Sequence, residues 1–189
     1  MPDTLILTHG AGLNRNAPLL VEVDGALSAL GVRVTRVDLP YRIERRTGPP
    51  RPGDAARDRA GLREMVVAAL AAGKGRVFLG GHSYGGRQAS MLVAEEPGLV
   101  DGLLLLSYPL HPPKKREQLR TGHFGALRGP VLLVHGTRDP LGLPAELEAA
   151  VGLIPGPVRV VFVERAGHDL RGAGGRVAGA WGFYDACIA

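Results

Sequence analysis

The chain has 189 residues, 45% of them apolar, and its 23 basic and 18 acidic residues give a net charge of +5. The apolar share excludes a disordered chain, and no apolar run approaches the roughly 20 residues of a membrane-spanning helix, so we expect no membrane contact. Only 5% of the residues are aromatic, which argues against base stacking, so we expect no nucleic-acid partner. A single cysteine, Cys187, excludes an internal disulfide framework.

The chain length predicts one domain over residues 1–189, because a segment of this size buries one core and no break in composition divides it. Residues 1–3 lack the charged and apolar pattern of a signal peptide, so we expect a cytoplasmic protein. We expect this domain to act as a monomer or a homodimer.

Short apolar runs alternate with helical patterns along the chain. The apolar runs have the length of buried strands, whereas the helical segments repeat apolar residues every three or four positions. In chain order we predict a strand at residues 4–8, a helix at 17–30, a strand at 32–37, a helix at 54–72, a strand at 76–79, a helix at 84–95, strands at 103–106 and 131–134, a helix at 144–151, a strand at 158–163 and a last helix after residue 171.

Local signals support the ends of two of these helices. Pro18 lies in the first turn of helix 17–30, where a missing N–H costs least, and Gly31 ends that helix. Asp54 is the expected N-cap of helix 54–72, and Gly73 ends it. The alternation of strands and helices predicts an α/β fold, an open and mostly parallel six-stranded sheet with helices on both faces.

Two basic segments, 41–53 and 107–129, interrupt the alternation. Each starts at the carboxyl end of a strand, the edge where ligands bind in an open parallel sheet. Their positive charges either form a solvated rim or attract an anionic substrate, and the sequence leaves both alternatives open. The residues concerned are Arg42, Arg45, Arg46, Arg51, Lys114, Lys115 and Arg116.

The most specific motif is Gly81-His82-Ser83-Tyr84-Gly85, between the strand at 76–79 and the helix at 84–95. This is a G-x-S-x-G sequence in the strand–turn–helix setting of a nucleophile elbow. The turn must be tight for the serine oxygen to project above the sheet, and the glycines let the strand and the helix approach closely. We therefore predict Ser83 as a catalytic nucleophile.

A serine needs a base to accept its proton, and the base needs an acid to orient it. Asp139 and His168 follow the strands at 131–134 and 158–163, in the order serine, acid, histidine. Taken singly, Asp139 would be an ordinary turn residue and His168 an ordinary loop histidine. Together with Ser83 they predict a Ser–His–Asp triad. Asp169 is the rival acid, although a neighbour in sequence is poorly placed to reach the far ring nitrogen of His168.

An acyl-transfer site also needs donors for the oxyanion. The N–H after the nucleophile belongs to Tyr84, and the first strand ends at His9-Gly10-Ala11-Gly12, which resembles the HG motif of lipases and esterases. We predict the N–H groups of Tyr84 and Ala11 as the oxyanion hole, with Gly12 as the runner-up. An ordinary glycine turn is the alternative reading of that segment.

Further residues near these motifs are candidates for substrate contacts. They are His9, Gly10, Gly12, Tyr41, Arg42 and His111. No histidines or carboxylates have a spacing typical of metal ligands, so we expect no metal, and no motif points to a cofactor.

These motifs make the chain resemble the α/β-hydrolase superfamily, and more narrowly a group of small, capless, dienelactone-hydrolase-like proteins related to a testis-expressed protein and to a subunit of a histone acetyltransferase complex. The shared segments are THGAG, DLPYR, GGHSYGGRQAS, SYPLHPP and HGTRDPLG. The resemblance implies a sheet of six parallel strands in the order 2-1-3-4-5-6. Dienelactone hydrolases use a cysteine nucleophile, so Ser83 argues against the same substrate.

The expected activity is that of a serine hydrolase, an esterase acting on small acyl esters as its small-molecule substrates. Thioester or peptide cleavage would use the same three residues. A non-catalytic interaction module on the same fold is the alternative from another class, since a fold does not determine a function.

Overall fold

The computed structural model describes residues 2–73 and 75–188. Six parallel strands form one sheet in the order β2-β1-β3-β4-β5-β6, which confirms the predicted architecture. The strands are β1 (Thr4–Thr8), β2 (Arg33–Val37), β3 (Val77–His82), β4 (Gly102–Leu106), β5 (Val131–Gly136) and β6 (Val158–Val163).

Helices follow most of the strands. They are α1 (Pro18–Ser28), α2 (Pro40–Glu44), α3 (Asp54–Ala72), α4 (Tyr84–Glu95), α5 (Pro144–Val151), α6 (Gly174–Ala180) and α7 (Phe183–Cys187), with a 3₁₀ turn at Phe124–Ala126. None of the helices in the described ranges combines the length and the hydropathy needed to cross a bilayer.

Both faces of the sheet are covered, because alternate residues of each strand point to opposite sides. On one side Ile6 and Leu79 pack with Leu62 of α3 and the inner face of α4. On the other side Leu5 packs with α1 and with Trp181, which lies between α6 and α7. The central strands are therefore buried on both faces, and their sequences are almost continuously apolar.

Several element boundaries differ from the prediction. Strand β3 continues past Leu79 through Gly80, Gly81 and His82, because the backbone ladder to β4 continues where the apolar side chains stop. The unpredicted helix α2 lies in the segment 41–53, and the single helix expected after residue 171 is divided into α6 and α7.

Asp54 is not the N-cap of α3, so that prediction was wrong. The cap position belongs to Gly53, whose φ of 92° favours glycine. Asp54 is the first helical residue, and its carboxylate accepts the Arg51 N–H at 2.6 Å and pairs with the Arg45 guanidinium. The carboxylate therefore stabilises the turn that leads into the helix rather than the first helical N–H groups.

Two glycines allow α4 to lie directly against the end of β3. A Cβ on Gly86 would be 2.5 Å from the carbonyl oxygen of Gly81, and a Cβ on Gly81 would be 2.6 Å from the amide nitrogen of Gly86. Both distances are shorter than any real carbon contact, so a side chain at either position would force the helix away from the strand.

Gly86→Ala is therefore expected to lower the free energy of unfolding by roughly 1–3 kcal/mol, the usual cost of overpacking. Gly179→Ala is the matched control, because Gly179 also lies inside a helix but a Cβ there meets nothing within 4 Å. This control should leave stability unchanged or raise it by up to about 1 kcal/mol. Urea denaturation of the two variants measures both values, and equal effects would contradict the steric argument.

Candidate active site

Ser83 occupies the turn between β3 and α4 in a strained backbone conformation. Its φ is 51° and its ψ is −114°, values that a residue with a side chain rarely adopts. The Ser83 N–H donates to the Leu106 carbonyl at 2.8 Å, and the Ser83 carbonyl accepts the Arg87 N–H at 2.9 Å. These bonds on both sides hold the strained turn in place and project the hydroxyl above the carboxyl edge of the sheet.

A chain of hydrogen bonds connects Ser83 to His168 and Asp139. Nε2 of His168 lies 2.8 Å from the Ser83 hydroxyl, and Nδ1 of His168 lies 2.8 Å from Oδ2 of Asp139. An ionised carboxylate only accepts, so Nδ1 carries the proton and Nε2 is the acceptor that faces the hydroxyl. This is the geometry in which an imidazole removes a serine proton.

Asp139 is fully buried in the loop after β5. Burial by itself would raise its pKa, but the hydrogen bond from His168, the nearby imidazole charge and the Leu141 N–H at 2.9 Å outweigh burial, so the pKa lies below its usual value. Asp139 is therefore ionised at neutral pH. The rival acid, Asp169, is exposed and pairs with Arg171 at 2.6 Å.

His82 supports the loop that carries His168. Its Nε2–H donates to the His168 carbonyl at 2.8 Å, and a Cβ on Gly10 would be 2.8 Å from its Nδ1. Burial lowers the pKa of His82 to about 4, so the ring is neutral at physiological pH. A neutral ring beside His168 adds no charge that would oppose protonation of the base.

The loop after β1 holds the Ala11 amide in a defined direction. The Leu39 N–H donates to Nε2 of His9 at 3.2 Å, so Nδ1 of His9 is protonated and donates to the Gly10 carbonyl at 2.9 Å. In a trans peptide the N–H points away from the carbonyl of the same unit. The Ala11 N–H therefore points away from His9.

Two backbone donors remain free at this edge of the sheet. Within the part of the chain that the structure describes, the N–H groups of Ala11 and Tyr84 have no acceptor, and both residues line the same cavity as Ser83. The Gly12 N–H, the runner-up as oxyanion donor, instead donates to the Tyr41 hydroxyl at 3.2 Å. These are the two N–H groups that we expect to form the oxyanion hole, and that role stays a prediction.

A buried carboxylate that the sequence reasoning missed stabilises this wall. Asp58 of α3 accepts the Tyr84 hydroxyl at 2.8 Å and the Tyr41 N–H at 3.0 Å, and burial raises its pKa. It links Tyr84, beside the nucleophile, to Tyr41, whose hydroxyl contacts the Gly12 amide. The sequence contains a signal for this residue. Asp58 shares the apolar face of α3 with Leu62 and Val66, and an acid is unusual on a buried face.

A cavity of about 700 Å³ opens above Ser83 at the carboxyl edge of the sheet, within the usual size range of small-molecule sites. Gly10, Ala11, Tyr84 and His168 are among the residues that line it. Leucines and prolines form most of the remaining wall: Leu13, Pro49, Pro50, Pro109, Pro113 and Leu141.

A family comparison agrees with this site. The alpha/beta hydrolase domain matches residues 2–177, which include Ser83, Asp139 and His168. The chain belongs to the alpha/beta hydrolase domain family.

Solved structures share this hydrolase fold at low sequence identity. An alpha-beta serine hydrolase homologue from Coxiella burnetii has a TM-score of 0.74 and 18% identity, over 98% of this chain and 85% of that one. A dienelactone hydrolase from Anabaena variabilis has a TM-score of 0.72 and 22% identity, over 97% and 84%. The protein TT1662 from Thermus thermophilus has a TM-score of 0.77 and 22% identity, over 97% and 89%.

Five predicted substrate contacts do not line the cavity of this hydrolase domain. Arg42 is the clearest correction, because its buried guanidinium donates to the carbonyls of Leu13, Arg45 and Gly48 at 2.6–3.0 Å. These hydrogen bonds join the loops to one another. The others are His9, Gly12, Tyr41 and His111, the last being buried with Nδ1 at 2.9 Å from the Pro112 carbonyl.

The basic segments of this hydrolase domain contribute prolines to the cavity, but none of their predicted basic residues lines it. Arg45, for example, pairs with Asp54. The two arginines that do line the cavity, Arg87 and Arg120, were not singled out from the sequence. Within the described ranges no three His, Cys, Asp or Glu side chains lie close enough together to hold a metal ion.

The depressed pKa of His82 gives the stability a defined pH dependence. The unfolded chain takes up a proton on this residue near pH 6.5, whereas the folded protein does so only near pH 4. Its contribution to stability is therefore complete above pH 6.5 and is lost as the pH falls towards 4. As the pH falls through this window, the free energy of unfolding should decrease less steeply in His82→Gln than in the wild type. The difference in slope should be up to about 1.4 kcal/mol per pH unit. Urea titrations from pH 4 to pH 7 measure the slope, and equal slopes in variant and wild type would refute the assignment.

Proposed function

We propose that this protein is a serine hydrolase that cleaves small acyl esters. The observation that carries the proposal is the chain of two 2.8 Å hydrogen bonds from Ser83 through His168 to the buried Asp139. The strained turn at Ser83 and the two free N–H groups beside it support the same chemistry. Membership of the alpha/beta hydrolase domain family agrees with a hydrolytic reaction.

In the first half of the proposed reaction, the Ser83 hydroxyl attacks the carbonyl carbon of the ester. His168 takes the hydroxyl proton through Nε2, and the buried Asp139 carboxylate stabilises the resulting imidazolium. The tetrahedral oxyanion accepts hydrogen bonds from the N–H groups of Ala11 and Tyr84. The intermediate then collapses, and His168 gives its proton to the departing alcohol.

In the second half, water hydrolyses the acyl-enzyme. His168 removes a proton from the water, the same two N–H groups hold the second oxyanion, and Ser83 leaves as the protonated hydroxyl. Fixed donors of this kind and a positioned base typically contribute factors of about 100 to 1,000 and about 100 to 10,000 respectively.

The cavity has room for small substrates. Its floor lies at the carboxyl edge of the sheet, and loops rich in proline form its wall. Because none of the predicted basic residues lines the cavity, we expect selectivity to depend on the side chains that do line it. Small acyl groups fit a volume of about 700 Å³.

Ser83→Ala should abolish turnover of p-nitrophenyl acetate, with a loss of at least about 1,000-fold in kcat, because no other group in the proposed mechanism replaces the nucleophile. Ser28→Ala, which removes an exposed helical hydroxyl, is the matched control and should retain full activity. Release of p-nitrophenol gives both rates. Equal activity in Ser83→Ala and wild type would dispose of the mechanism.

Asp139→Asn should lower kcat by roughly 1,000- to 10,000-fold, because an amide does not stabilise the imidazolium and favours the wrong tautomer of His168. The buried volume hardly changes, so circular dichroism should show a folded protein. A loss of less than about tenfold would exclude Asp139 as the acid of the triad.

The segments SYPLHPP and HGTRDPLG resemble a group that includes a complex subunit, so a non-catalytic module is the competing proposal. A fluorophosphonate probe separates the two, because only an activated serine reacts with it. We expect stoichiometric labelling of the wild-type protein at Ser83, located by peptide mass spectrometry, and none in Ser83→Ala. An unlabelled wild-type protein would favour the module.

A further inference from the structure

Arg87 lies in the cavity one helical turn beyond the nucleophile. It is the fourth residue of α4, its N–H donates to the Ser83 carbonyl at 2.9 Å, and both residues line the same cavity. Arg87 lines the cavity, and its buried Nε has no hydrogen-bond partner within the described residues. The residue as a whole is only half-buried, so its guanidinium group is available from the cavity to an anionic ligand.

Arg120 brings a second guanidinium to the same cavity from the long segment after β4. Its backbone is fixed on both sides, since its N–H donates to the Leu110 carbonyl at 2.8 Å and its carbonyl accepts the hydroxyl of the buried Tyr108 at 2.6 Å. The fold therefore fixes the backbone position of Arg120 at the cavity.

The two positive charges have no acidic partner among the residues that the structure describes. Burial lowers the pKa of Arg120, and the charge of Arg87 lowers it further, so the two guanidinium groups affect each other electrostatically. The acid on the cavity wall, Asp169, pairs with Arg171. By contrast, Arg59 on the neighbouring helix α3 has its carboxylate, Glu95, at 3.0 Å.

We infer that Arg87 and Arg120 form an anion subsite, and that the natural substrate is an ester whose short acyl chain ends in a carboxylate or a phosphate group. This inference rests on the proposed function, because it places the anion relative to the Ser83 hydroxyl. Guanidinium groups bind such anions through charge-assisted, often bidentate hydrogen bonds. The leucines and prolines of the wall surround the methylene groups between the anion and the reacting carbonyl.

Ser83 and Arg87 line one cavity at the start of α4, so we propose a short acyl chain and take an ester with three methylene groups as the probe. For the monomethyl ester of glutaric acid, a bond forms between the Ser83 oxygen and the carbonyl carbon, the bond to the methoxy oxygen breaks, and methanol leaves with the proton from His168. Water then releases glutarate from the acyl-enzyme.

The test compares monomethyl glutarate with methyl 5-methylhexanoate, in which an isopropyl group replaces the carboxylate at the same position. We expect wild-type kcat/KM, measured by methanol release, to be at least about tenfold higher for the anionic ester. Arg87→Gln and Arg120→Gln should each reduce this preference at least about fivefold. Arg46→Gln removes the charge of an exposed residue that does not line the cavity, and it should change the preference by less than about twofold.

The result that would overturn the inference is a preference that stays the same in Arg87→Gln, Arg120→Gln and wild type. The proposed function survives that result if hydrolysis of the neutral ester still depends on Ser83. If neither ester is cleaved, calorimetric titration of glutarate into the Ser83→Ala protein tests the subsite independently of catalysis. Binding that Arg87→Gln weakens supports the subsite, and no binding overturns it. Parallel titration with inorganic phosphate distinguishes a carboxylate site from a phosphate site.

Discussion

The contact between the end of β3 and the start of α4 determines the geometry of the whole site. Gly81 and Gly86 let the strand and the helix approach to a distance that no side chain permits, and the chain can then turn sharply at Ser83. The strain of that turn is offset by backbone hydrogen bonds to β4 and to the first turn of α4. The Ser83 hydroxyl, the Tyr84 N–H and Arg87 all derive their positions from this turn.

Neutral histidines provide much of the remaining organisation. His9 and His82 are buried, and burial lowers the pKa of each, so both act as hydrogen-bonding groups and not as charges. His9 orients the peptide before Ala11, and His82 holds the backbone of His168. Neither histidine therefore adds a positive charge beside the Ser83 hydroxyl at neutral pH.

The distribution of positive charge explains why composition was a poor guide to substrate. Arginines in the segment 41–53 stand out in the sequence, yet Arg42 and Arg45 bind carbonyls and carboxylates of the fold itself. Arg87, in contrast, lies in an unremarkable helical sequence and reaches the cavity only because of its position relative to Ser83. The density of charge along the sequence therefore does not show which charges face the cavity, because the fold decides it.

The sequence by itself determined the α/β class, the Ser83 turn and the order of Ser83, Asp139 and His168, because short-range patterns of glycine and apolar residues specify strands, turns and helices locally. Only the tertiary structure decided that Asp139 and not Asp169 forms a hydrogen bond with His168. It also decided that the Gly12 N–H donates to the Tyr41 hydroxyl, and that Asp58 and Arg120 belong to the site. Those contacts join residues far apart in the chain, and their partners depend on strand order and loop path. Local pattern carries no information about either, since the same loop residue can face the core, the cavity or water.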